Sequence, residues 1–128
     1  MKKSLLFIMS IFYIMCAVSC SNKAKLESLR SLGTEEFSRE KWSKADEVAR
    51  GRMIYSFIKS NEPITNKDRA FIISQLGENT GYHDYDSFPA YYVGPKPPNS
   101  EAKAYLVAFI IDHKTGKIKD IYVEPEIK

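Results

Sequence analysis

The chain has 128 residues, with 19 lysines and arginines against 16 aspartates and glutamates, a formal net charge of +3, and two cysteines. That length holds one small domain. The near balance of charge, with no basic run beyond the N-terminus, argues against a nucleic-acid partner, and two cysteines are too few for a disulfide-stapled scaffold.

Lys2 and Lys3 open the chain, residues 5–18 are almost wholly apolar, and the small residues Ala17 and Ser19 stand at the end of that run. This is the three-part layout of a secretory signal. Its close, "AVSC" at residues 17–20, resembles the lipobox of bacterial lipoproteins. The resemblance implies a cut after Ser19 and a mature protein that begins at an acylated Cys20. Two other readings stand beside it. An uncleaved anchor would use residues 4–18, short of the roughly 20 residues that span a bilayer. Plain secretion would leave Cys20 as an exported free thiol.

Each buried methylene contributes about 0.8 kcal/mol and a single myristoyl chain binds only marginally, so two or three chains on one cysteine would make a firm tether. By resemblance to known lipoproteins, serine at position 21 rather than aspartate directs the protein to the outer membrane of a Gram-negative cell. Removal of residues 1–19 leaves 109 residues, with 17 basic (19 less Lys2 and Lys3) against 16 acidic, a net charge of +1. Cys16 leaves with the leader and Cys20 is taken by lipid, so the domain holds by packing alone.

In residues 21–33, Leu26, Leu29 and Leu32 recur every third position. This fits either a short helix lying on the domain or a mobile tether. The main helix is expected from Ser38 as N-cap, with Phe37 stapled onto Trp42. Its apolar stripe is Trp42, Ala45, Ala49, Met53 and Phe57, widened by Val48 and Ile54, opposite Lys41, Lys44, Glu47, Arg50 and Arg52. Trp42 at the head of such a stripe reads as core rather than as a stacking platform. Pro63 closes the region. A second, shorter helix is expected from a Thr65 cap, with Asp68 supporting the cap, Ala70, Ile73 and Leu76 on one face, and Gly77 as its exit.

Strands follow. Residues 89–94, "PAYYVG", are short and β-prone. Residues 103–112, "KAYLVAFIID", set Tyr105, Val107, Phe109 and Ile111 on one face and Leu106, Ala108 and Ile110 on the other. With both faces apolar, this strand belongs in the middle of the sheet. A turn at residues 113–116 returns the chain as residues 117–124, and residues 95–100, "PKPPNS", form a surface loop. The expected fold is α+β, two helices packed on a three-stranded antiparallel meander (ααβββ). The expected organisation is a leader over residues 1–19, a lipidated N-terminus and tether over 20–36, and one domain over 37–128.

Two stretches, "TNKDRAFIISQLGEN" and "YLVAFIIDHKTGKI", resemble the BamE-like (SmpA/OmlA) small outer-membrane lipoproteins. Thr65 matches the cap of that family's helix, Ile72 and Ile73 its apolar stripe, and Leu76 with Gly77 its exit. The later stretch matches its strand, turn and return strand. Pro63, Ile64, Gln75 and Asn79 depart from the pattern. The resemblance implies the fold and an envelope location facing the periplasm.

Residues 77–92, "GENTGYHDYDSFPAYY", are the most chemically suggestive. His83 beside Glu78, Asp84 and Asp86 could bind a metal or act as a general base. Yet no second histidine stands at ligand spacing, His113 belongs to a distant turn, and the acidic ladder of a calcium loop is absent. We therefore expect no metal site. Glycine-rich phosphate loops, nucleophile elbows and a mature-domain thiol are also missing, so neither catalysis nor a cofactor is expected.

Tyr82, Tyr85, Tyr91 and Tyr92 could make a recognition surface for an envelope protein partner. The competing structural reading has Tyr82 and Tyr85 pinning the loop while Tyr91 and Tyr92 alternate across a strand. The leading expectation for function is a non-enzymatic lipid-anchored interaction module in outer-membrane assembly or envelope maintenance. An inhibitor or immunity-type lipoprotein acting on a secreted enzyme is the alternative, and a hydrolase or metal-binding protein centred on His83 a third.

Overall fold

The computed structural model describes residues 25–127, so Cys20 and the expected leader over residues 1–19 lie outside the described residues. Helical residues 25–30 form α1. Then come α2 (Arg39–Lys44), α3 (Glu47–Ser60), a 3-10 turn (Ile64–Asn66) and α4 (Arg69–Leu76). Three strands follow, β1 (Ala90–Val93), β2 (Tyr105–Ile111) and β3 (Ile118–Glu124). The strands pair antiparallel in the order β1-β2-β3, the expected α+β meander with its helices ahead of its sheet.

The expected main helix is two helices. Ser38 caps α2, its hydroxyl accepting from the Lys41 amide at 3.1 Å. Phe37 meets Trp42 edge-on at 6.0 Å, as the staple requires. The chain turns extended at Ala45, and Asp46 opens α3 with its own cap, its carboxylate accepting from the Ala49 amide at 2.8 Å. A second capping side chain inside the stripe offers the backbone a fresh start, and the break is stabilised because the Trp42 carbonyl accepts from both the Ala45 amide and Arg50 Nε. The break re-aims the stripe. Trp42, Met53, Ile54, Phe57 and Ile58 are buried, but Val48 is turned out to 45 % exposure.

The cap of α4 also moves. Thr65 lies in the 3-10 turn that buries Ile64, and Asp68 caps α4 by accepting from the Phe71 amide at 2.9 Å. Ile72 and Leu76 then face the core while Ala70 is exposed. Gly77, at φ +81°, ends the helix as expected.

β2 is buried on both faces, and the two faces belong to different clusters. Tyr105, Val107, Phe109 and Ile111 join Tyr91, Val93, Ile118 and Ile121 in the main core against the helices. Leu106 and Ala108 join Ala90 in a second, smaller cluster on the outer face, with Ile110 and Tyr122 packed against it. The packing of α3 on β1 depends on a pair of glycines. A Cβ on Gly51 would fall 2.3 Å from the Gly94 Cα, and the Gly94 amide donates to the Glu47 carbonyl at 2.6 Å.

The segment between helix and tether readings resolves over its described part. Leu26 and Leu29 are buried in the main core, and Lys25 Nζ sits 2.8 Å from Asp120 on β3. Residues 25–30 are therefore packed into the domain rather than a tether ahead of residue 37, because three-residue spacing gives α1 an apolar stripe to bury.

Candidate functional site: an aromatic loop on the outer sheet face

Among the described residues, 78–88 lie over the outer face of the sheet. The Thr80 and Gly81 amides both donate to the Ala90 carbonyl, at 3.0 and 3.1 Å, and the Tyr92 amide donates to the Thr80 hydroxyl at 2.9 Å. Asn79 Nδ2 donates to the Phe88 carbonyl, closing the loop on itself. Gly81 passes directly over the sheet, where a Cβ would come 2.4 Å from Leu106 Cδ1. The loop is thus a fixed cover with a set orientation.

On that cover Tyr82 and Tyr85 are 60 % and 54 % exposed, and Tyr92 on β1 is 38 % exposed. The Tyr82 hydroxyl donates to the Asp84 carbonyl at 2.6 Å, and the turn is completed by Asp84 in the left-handed region at φ +59°. Tyr85 stands edge-on to Phe88 and to His113, both at 5.0 Å. Tyr91 does not belong to this surface. It is fully buried, edge-on to Trp42 and Phe109, and its hydroxyl donates to the Gly77 carbonyl at 2.7 Å. Alternation along β1 sends it to the helix side, and burial holds its phenol well above the ordinary tyrosine range.

His83 is also tied down. Its ring stacks on Tyr122 with centroids 4.0 Å apart, and its Nε2 lies 3.4 Å from an Asp84 carboxylate oxygen. Burial, followed by the carboxylate of Glu124, raises the Tyr122 phenol above its usual value, with Asp84 adding to the shift. Asp86 is exposed. Among the described residues no group of three or more histidines, cysteines and acids is placed to hold a metal ion.

Three residues of this surface escaped sequence reasoning. His113 sits in the hairpin turn as expected, yet the meander folds it back to stack on Phe88 at 5.7 Å. Phe88, buried in the main core, backs Tyr85 and His113, and Tyr122 lies under His83. Tyr122 alternates with Asp120 on the outer face of β3, a signal present in the strand pattern. Trp42, by contrast, is core. It is 1 % exposed, its Nε1 donates to the Leu76 carbonyl at 2.8 Å, and the Arg50 guanidinium lies 4.7 Å over its ring.

What the outer surface offers is aromatic area with carboxylates beside it, held rigidly by main-chain bonds. Such a surface suits recognition, through ring faces, ring hydroxyls and the acids flanking them. No family model matches the chain, and no curated protein or solved structure matches it either.

Proposed function

We propose that this protein is a lipid-anchored envelope lipoprotein whose domain is a non-enzymatic interaction module. Its contact surface is the outer-face loop bearing Tyr82 and Tyr85, together with Tyr92. The observation that carries the reading is the pairing of exposure with rigidity. Two tyrosines more than half exposed stand on a loop whose backbone is bonded to β1. Aromatic side chains held in place lose little entropy on binding and supply much of the contact energy at interfaces.

The anchor rests on the leader and on Cys20, and the location, the outer membrane facing the periplasm, rests on Ser21 and the resemblance to BamE-like lipoproteins. Outer-membrane assembly or envelope maintenance is the corresponding role.

The test is cross-linking and affinity capture of the tagged protein from native envelopes, with a Tyr82→Ser, Tyr85→Ser double variant as the comparison. Capture of envelope-assembly proteins by the parent, lost in the double variant while its circular dichroism is unchanged, is the expected result. Capture of a single secreted enzyme whose activity falls stoichiometrically would replace this reading with an inhibitor. The anchor is tested separately. Cys20→Ala is expected to abolish acylation, and a variant that stayed membrane-bound at precursor mass would show an uncleaved anchor.

A further inference from the structure

The packing of α1 limits how far the domain can stand from its anchor. Lys25 is fixed by its ion pair with Asp120, and Leu26 and Leu29 by burial. Only five peptide steps separate Cys20 from Lys25. Fully extended, they reach at most roughly 18 Å, less than the diameter of a domain whose radius of gyration is about 13 Å. With Cys20 acylated, the Lys25 end of α1, and the β3 residue Asp120 that it meets, would stand within that distance of the bilayer surface.

The aromatic loop lies on the same side as Asp120. Asp120, which holds Lys25, and Tyr122 alternate onto one face of β3, and His83 stacks on Tyr122. Tyr82 and Tyr85 flank His83 in the chain, and His83 and Tyr85 form a local bridge.

We infer that the partner of this surface is a protein embedded in the anchoring membrane, met at a basic, water-exposed rim close to the headgroups. The inference rests on the lipid-anchor reading above. Charge decides between that rim and the bilayer itself. Asp84 has a side chain 66 % exposed, Asp86 is exposed beside it, and among the described residues neither pairs with a lysine or arginine. These carboxylates, Asp84 beside His83 and Asp86 exposed to solvent, oppose seating in anionic headgroups. The same carboxylates favour lysines and arginines, which the tyrosine faces also attract. A soluble partner would gain nothing from the short leash, whereas a membrane-embedded one is held at high effective concentration.

The experiment uses the full lipidated chain with a photo-reactive residue, Tyr82→p-benzoylphenylalanine or Tyr85→p-benzoylphenylalanine, irradiated in intact envelopes. Acylation of Cys20 is checked by mass beforehand. An adduct with an integral membrane protein is expected. Its yield should fall about twentyfold when about 30 glycine and serine residues are inserted after Asn22, since effective concentration declines as roughly the −3/2 power of leash length. It should also fall when Asp84→Lys and Asp86→Lys are combined. An adduct with a secreted protein at a yield indifferent to the insertion would overturn the proposal, as would adducts with phospholipid alone or none at all. Absence of the acyl mass on Cys20 would instead remove the anchor reading and this proposal with it.

Discussion

Gly51 and Tyr91 show how single atoms set the packing of this domain. At Gly51 the helix backbone touches that of Gly94, and one added methyl would fall 2.3 Å from a main-chain carbon that cannot swing aside. Gly51→Ala is therefore expected to lower stability by about 1–3 kcal/mol, the usual range for overpacking, read from the midpoint of urea unfolding. Tyr91 predicts a pH dependence. Burial raises its folded phenol above the unfolded value of 10.0, so its contribution is complete below that pH. As pH rises past 10 the unfolded chain releases the proton more readily than the folded one, and stability falls. Urea midpoints at pH 9 and pH 11 should show the loss, and Tyr91→Phe should flatten that part of the slope.

At the scale of elements, local chemistry competes with periodicity. The stripe from Trp42 to Phe57 reads as one helix, and its large apolar side chains are buried except Val48. What the stripe hides is Asp46, a capping side chain inside an otherwise helical run, which splits it. The same competition moves the α4 cap from Thr65 to Asp68, since burying Ile64 takes a 3-10 turn that consumes Thr65. The strands were legible because alternation with a period of two leaves little choice of face.

Asp46→Ala distinguishes the two arrangements. In a continuous helix alanine would stabilise by a few tenths of a kcal/mol. At an N-cap it should cost about 0.5–2 kcal/mol, and thermal unfolding followed by circular dichroism would give the sign.

Over the whole molecule, the candidate surface was legible in part. The cluster of tyrosines marks the right loop, and exposure of Tyr82, Tyr85 and Tyr92 follows from its place on the outer face. Tyr91 was not separable from Tyr92 without knowing which side of β1 the helices cover. The meeting of His113 with Tyr85 and Phe88 depends on a loop crossing the sheet to the far hairpin turn. No local pattern encodes a contact between segments that distant in the chain. The packing of residues 25–30 was likewise ambiguous, since three leucines suit a helix only if there is a surface to receive them.

The bonds from residues 80 and 81 to β1 also do a second job. They occupy the outward carbonyl of Ala90 and the outward amide of Tyr92, groups that would otherwise leave a strand border open to any passing chain. Thr80→Ala removes the acceptor for the Tyr92 amide, whose hydrogen–deuterium exchange should quicken by about tenfold for a bond worth about 1.4 kcal/mol. Each such opening presents Ala90–Val93 as a template for strand addition. This makes the loop a guard against self-association, and the variant should scatter more light as its concentration rises.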